Sequence, residues 1–190
     1  GYDIIFFWVA RMVMSGLEFM DEVPFHTVFM HGLVRDEQGR KMSKSLKNQV
    51  NPLDLITKYG TDALRFTMAS LSTYGGQDVL ISDRKLLASR NFINKLWNAT
   101  RFVVANADVK TTLAGPRPSD DQLGIFDRWI LTRLAEATRN ITAKMDTYDF
   151  GEASRLVYEF VWGDFCDWYI ELSKIPLRDE TRAPATRWVL

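Results

Sequence analysis

The chain has 190 residues, 46% hydrophobic and 13% aromatic, with 24 basic against 24 acidic side chains and a formal net charge of zero. That apolar share excludes disorder and collagen-like repeats and allows one domain or two small ones, while the single cysteine, Cys166, excludes an internal disulfide scaffold and fits a cytoplasmic protein. No apolar run reaches the roughly 18 to 20 residues of a membrane span, Asp3, Arg11 and Glu18 interrupt the start where a signal peptide would be apolar, and neutrality argues against a generic nucleic-acid binder.

Apolar residues at Ile5, Trp8, Val9, Met12, Val13, Leu17 and Met20 have the three-and-four spacing of a helix with one buried face. Pro24 ends it, and the aromatic and β-branched stretch Phe25 to Val34 predicts a mostly buried strand, followed by a turn at Asp36-Glu37-Gln38-Gly39. Asn51-Pro52 reads as a cap and first helical residue, and Gly60 as the stop. Thr61 is the expected cap of a next helix with Ala63, Leu64, Phe66 and Met68, before a loop at Tyr74-Gly75-Gly76. From Ser82 to about Asn106 a long helix presents Leu86, Ile93, Leu96, Trp97, Thr100 and Val104 on one face. The stretch Leu113 to Gly124, containing Gly115-Pro116-Arg117-Pro118, is the strongest linker and the main expected domain boundary. Beyond it, Asp127 to Met145, with Ile130, Leu134, Ile141 and Met145, and Gly151 to Leu172, with Leu156, Val157, Phe160, Val161, Phe165 and Trp168, predict an antiparallel helix pair turning at residues 146–150. A further helix starts after Pro184. The fold class expected is mainly α with a small α/β part.

Positive charge is concentrated between Arg35 and Lys47. Lys41-Met42-Ser43-Lys44-Ser45 sets two ammonium groups three residues apart, with two hydroxyls and the backbone amides of a glycine-flanked loop between them. Such a loop suits a polyphosphate: when an ionised acyl oxygen attacks an α-phosphate, charge builds on the phosphoryl oxygens and the departing pyrophosphate, where mobile lysines can gather. No general base is required of a nucleophile already ionised. The competing reading of the same composition is a solvated turn.

Lys41-Met42-Ser43-Lys44-Ser45 resembles the second signature of the class I aminoacyl-tRNA synthetases, and His31-Gly32-Leu33-Val34 with Gly39-Arg40 is similar to the strand and turn that carry it. Gly1-Tyr2-Asp3 through Trp8 to Met12 resembles the glycine-any-aspartate element of the branched-chain subgroup in its valyl form. Asn51-Pro52, Tyr59 to Phe66 and Trp97 to Val103 resemble the same subgroup. Isoleucyl specificity is the neighbouring reading, disfavoured by the apolar run Ile4 to Phe7. The resemblance implies ATP, with Mg2+, as co-substrate, valine as amino acid and tRNA-Val as acceptor. It implies that Lys41 and Lys44 stabilise the pyrophosphate-leaving transition state, supported by Ser43 and Ser45, with Met42 near the adenine. It further implies that Asp3 binds ribose hydroxyls, Gly1 allows close approach of the sugar, His31 and Gly32 lie along the nucleotide, and Trp8 forms a wall of the amino-acid pocket.

By pattern alone, Trp8 belongs to a packed stripe, Asp3 to a helix cap and His31 to a buried strand, the Tyr148 to Trp168 aromatics belong to a bundle core, and Cys166 is an apolar filler. The family's first signature, a His-x-Gly-His element, is absent, and the chain opens on Gly1 and stops inside a helix; a section of a longer enzyme, inactive in isolation, is therefore expected. The expected division is residues 1–50 as the end of the nucleotide-binding fold, 51–114 as connecting helices and 115–190 as the start of an anticodon-binding bundle. A non-catalytic tRNA-binding module is the alternative.

Overall fold

The computed structural model describes residues 2–36, 38–42, 48–72, 77–107 and 115–190. What the sequence places at Gly1, Ser43, Lys44, Ser45, the Tyr74-Gly75-Gly76 loop and linker residues 113–114 lies outside them, as does the side chain of Asp3. The architecture is mainly helical with a small α/β part. No helix among the described residues is long and apolar enough to cross a membrane.

The first helical stretch runs through a 3-10 turn, Tyr2–Ile4, a π-helical piece, Ile5–Val9, and helix α1, Ala10–Met20. It ends on Asp21 in the left-handed conformation, and the chain folds back so closely over Gly16 that a Cβ there would stand 2.8 Å from the Glu22 carbonyl oxygen. The predicted helix is present but its buried face is not: no residue of Ile5–Met20 is buried, and Phe6, Trp8 and Phe19 are 76, 64 and 80% exposed. Periodicity reports an amphipathic helix, not what covers it.

The expected strand over residues 25–34 shrinks to β1, Val34–Arg35, because a strand exists only where a partner's amides and carbonyls come alongside. The strand that does so is β2, Val79–Leu80, pairing parallel with Val34 opposite Val79 and Arg35 opposite Leu80. His31 is consequently exposed rather than part of a core. The preceding segment is pinned by Phe29, whose ring lies 5.3 Å from Phe150 and 5.9 Å from Tyr148.

Between the two strands run α2, Pro52–Tyr59, and α3, Thr61–Ser70. Asn51 caps α2 by accepting the Leu53 amide (3.1 Å), and Pro52 occupies the first turn, where its missing N–H costs nothing. Gly60, at φ 95°, both ends α2 and caps α3. Thr61 is thus the first residue of α3 and not its cap, since the pivot needs the backbone freedom of glycine. Tyr59, Ala63 and Leu86 form a first core, with Leu55, Leu64 and Ile81 against it.

Helix α4, Asp83–Asn106, starts where predicted, with Ser82 accepting the Lys85 amide (3.4 Å). Its buried stripe is Leu86, Ser89, Phe92 and Ala99, while Trp97 and Val104 are 69 and 61% exposed, so the predicted face was rotated toward the outer side. Ser89 explains part of the error: it is buried because its hydroxyl meets Thr67 of α3 at 2.7 Å.

Helix α5, Ile125–Asp146, turns at residues 147–149 into α6, Phe150–Tyr158, which continues as a π-wound stretch, Glu159–Tyr169, and α7, Ile170–Ser173. The π winding widens each turn, so a 3.6-residue period drawn through it loses phase. Cys166, Tyr169 and Ile170 are buried, whereas Trp168 is 61% exposed and not core. Rings of Phe66, Phe92, Tyr158 and Trp162 follow one another at 4.9, 5.0 and 5.4 Å, joining α3, α4 and α6. A second core combines Ala99, Cys166 and Ile170; burial there pushes the Cys166 thiol pKa up, as expected of a filler. Helix α8, Ala183–Val189, is held by Thr186, whose hydroxyl donates to Asp127 (3.3 Å). Asp127, 3% exposed, also accepts the Tyr169 hydroxyl (2.7 Å) and the Gly124 amide (3.0 Å).

Candidate functional site

The basic loop grows out of β1, and the residues around its start are set by two carboxylates. Asp78, just before β2, accepts the Leu33 amide (2.9 Å) and pairs with the Arg35 guanidinium. The Leu33 hydrogen bond first, then Arg35, hold the Asp78 carboxyl below its ordinary range. Arg35 also donates to the Gly39 carbonyl (3.2 Å) and interacts with the Tyr2 phenol, which joins the first helical turn to β1.

Asp36 closes the turn itself. The Gly39 amide donates to the Asp36 carbonyl (2.9 Å) with Gly39 at φ 77°, a conformation costly for any residue with a Cβ. The Asp36 side chain accepts the amides of Gln38 (3.1 Å) and Arg40 (2.8 Å) on Oδ1, and Arg40 Nε (2.8 Å) and Asn48 Nδ2 (2.9 Å) on Oδ2. Asn48 first, then the Arg40 amide and guanidinium, hold its pKa down at about 2 against an ordinary 3.8. Desolvation works the other way and is outweighed, as is usual for a carboxylate that collects several N–H donors.

Of the residues singled out from sequence, the structure brings His31, Gly32, Lys41 and Met42 to this corner. Lys41 forms an isolated antiparallel bridge with Arg35 and leaves its side chain exposed. Met42 is half-buried and lines a cavity of about 240 Å³ with Asp36, Asn48, Leu55, Ile81 and Leu86. His31 is exposed, its Nδ1 2.9 Å from the Gly32 carbonyl oxygen. Gly32 is buried for a visible reason: a Cβ would sit 1.8 Å from the Gln77 carbonyl oxygen, so only glycine lets the two backbones pass. Trp8 stands on the uncovered first helical stretch, 64% exposed and outside any core. Among the described residues no group of three or more His, Cys, Asp or Glu side chains gathers to hold a metal ion.

Asp36, Asn48 and Asp78 were not found from sequence as parts of this corner. An aspartate opening a turn closed by glycine signals that its side chain accepts downstream amides. Asn48 and Asp78, reached over 12 and 45 residues, have no local signal.

Comparison with known proteins bears on both ends of the chain. Residues 1–82 match the family model of class I tRNA synthetases (I, L, M and V), and residues 127–190 match that of the anticodon-binding domain of tRNA ligases. Valine–tRNA ligase of Bacillus anthracis is 53% identical over the whole chain, which covers 22% of that protein, and the Bacillus subtilis (strain 168) enzyme is 50% identical with the same coverage. The chain thus spans about a fifth of the length of the curated relatives it matches. Among solved structures, Mycobacterium tuberculosis methionyl-tRNA synthetase in complex with methionyl-adenylate aligns over the whole chain and 38% of its own, with a TM-score of 0.70 at 24% identity. LeuRS of Agrobacterium radiobacter K84, in a ternary complex with tRNA and LeuAMS, aligns over 95% of the chain and 22% of its own, with a TM-score of 0.66 at 22% identity. These two likenesses are likenesses of fold.

Proposed function

We propose that the chain contributes the loop-bearing end of a class I aminoacyl-tRNA synthetase catalytic fold and the first anticodon-domain helices to a valine–tRNA ligase. In that reading the valine carboxylate attacks the α-phosphate of ATP, the α–β phosphoanhydride bond breaks and pyrophosphate leaves. A terminal ribose hydroxyl of tRNA-Val then attacks the carbonyl of the adenylate, and AMP leaves. The observation that carries the reading is identity of about half to valine–tRNA ligases along the entire chain rather than around one motif.

The chain's own residues divide the work by chemistry. Lys41 and Lys44 meet the negative charge that develops on the phosphoryl oxygens and pyrophosphate, and because that charge grows in the transition state their effect falls on rate rather than on valine affinity. Ser43 and Ser45 add hydroxyl contacts to the phosphates. Met42 offers an apolar surface to the adenine, Asp3 accepts ribose hydroxyls, and Gly1 leaves room for the sugar. His31 and Gly32 run along the nucleotide, with the His31 ring open to solvent. The exposed Trp8 indole supplies an apolar wall for the valine side chain. Mg2+ would arrive with the triphosphate. Residues 1–50 would close the catalytic fold, 51–114 connect, and 115–190 begin the tRNA-reading bundle, in a cytoplasmic enzyme.

The test is valine-dependent exchange between ATP and pyrophosphate, measured on the protein in its full natural length. Lys44→Ala is expected to lower the maximal rate about 10²- to 10³-fold with little change in the KM for valine. An unchanged maximal rate would remove Lys44 from the proposed role. Exchange that responds to another amino acid in place of valine would move the specificity.

A further inference from the structure

The clasp around Asp36 lies beside Lys41, one of the two lysines proposed to meet the phosphates, and is not itself a phosphate contact. Its carboxylate, 8% exposed, collects two amides and one guanidinium from the chain entering the loop, at Gln38 and Arg40, and one amide group from the chain leaving it, at Asn48. The Asn48 side chain also donates to the Lys41 carbonyl (3.3 Å), and the Asp36 amide donates to the Arg40 carbonyl (3.1 Å). The backbone under Lys41 is therefore tied on one side to β1 through its bridge to Arg35 and on the other to Asn48. We infer that Asp36, acting with Asn48, is a positioning residue that staples both stems of the basic loop, so that the Lys41 main chain is set before the phosphates arrive.

The reasoning concerns geometry rather than charge supply. An ammonium on a four-carbon stem has wide reach, and its contribution to a transition state depends on how well the backbone beneath it is fixed. A neutral acceptor in place of Asp36 would have to hold four N–H groups, two of them from Arg40, with weaker hydrogen bonds. The carboxylate remains ionised throughout the neutral range, so the staple does not open with ordinary changes of pH. The inference rests on the proposed role of Lys41 and Lys44, and it adds two residues that no resemblance had assigned.

The experiment compares Asp36→Ala, Asn48→Ala and the double variant in the full-length protein, by valine-dependent pyrophosphate exchange normalised to titrated active sites. Each single variant is expected to lower kcat about 10- to 100-fold while the KM for valine stays within about twofold. The double variant is expected to be no slower than the worse single, because both break one clasp. Rates within about twofold of the parent, a rise in KM matching the fall in kcat, or additive losses in the double variant would overturn the inference. Hydrogen exchange separates this from failure of the functional reading: even if the parent protein activates no valine, the Gln38 and Arg40 amides should exchange at least about tenfold faster in Asp36→Ala, and unchanged protection would overturn the clasp itself. Asn48→Ala, which removes a partly exposed side chain, keeps the test decisive if Asp36→Ala folds poorly.

Discussion

Two carboxylates, Asp36 in the loop corner and Asp127 in the helical bundle, are both nearly closed to solvent, 8 and 3% exposed, yet they are stabilised by different partners. Asp36 gathers N–H donors, among them the guanidinium of Arg40, from a stretch of 12 residues. Asp127 gathers two hydroxyls, from Tyr169 and Thr186, over 42 and 59 residues, besides the nearby Gly124 amide. The first arrangement shapes a turn at the edge of the first core, where Leu55, Ile81 and Leu86 line the same cavity. The second locks α5, the π-wound helix and α8 against one another where the surroundings are already packed. The same contrast separates the regions as wholes: residues 5–20 are amphipathic and bury nothing, whereas α3, α4 and α6 share a continuous file of rings. Hydrogen-bond donors drawn from nearby residues fix the turn at Asp36, whereas packed rings and two distant hydroxyls join the helices of the bundle.

The sharpest way to break that comparison is a pair of truncations read by denaturant unfolding of the 190-residue chain. Phe92→Ala removes a ring that is 2% exposed between Phe66 and Tyr158 and is expected to cost about 3 to 5 kcal/mol. Phe6→Ala, at a ring 76% exposed, should stay within about 0.5 kcal/mol. Equal losses would mean that the first helical stretch is packed after all. Next in size, Asp127→Ala strands the Tyr169 and Thr186 hydroxyls in a buried site and is expected to cost about 3 kcal/mol, with the loss appearing as early exchange of α8 amides. The Tyr169 phenol, pushed upward by burial and then by Asp127, should remain un-ionised well above the usual tyrosine range in an ultraviolet titration.

The smallest expected effect is a pH dependence. The Asp36 carboxyl is lowered in the folded chain to about 2 from an ordinary 3.8, so its contribution is fully present above about 3.8 and is lost as pH falls toward about 2. Protection of the Gln38 and Arg40 amides should therefore be flat from neutral pH to about 4 and weaken only below it. Loss of protection near neutrality would assign the clasp to another group.

Much of this was legible in the residues. Asn51-Pro52, Gly60 and Ser82 mark helix ends by side-chain and backbone chemistry that acts within four residues, and all three boundaries are where that chemistry puts them. The spacing of two lysines and two hydroxyls in Lys41 to Ser45 is the signal on which the proposed phosphate chemistry rests. Other features needed the fold. The stretch from Phe25 to Val34 carries strand composition, but hydrogen-bonded pairing depends on Val79–Leu80, 45 residues further along the chain, and stops after two residues. Trp97 and Trp168 read as core because periodicity cannot say which side of a helix meets a neighbour or where π winding shifts its phase. Gly32 reads as a nucleotide neighbour, whereas the backbone of Gln77 and Asp78 also requires that glycine. What the sequence by itself determined was local: caps, breaks, amphipathicity and the charged loop, each set by interactions a few residues long. Only the tertiary structure decided which apolar faces are covered, how short the sheet is, and that Asp36 and Asn48 close the loop, because those outcomes depend on which distant segments arrive to share a hydrogen bond or a packed surface.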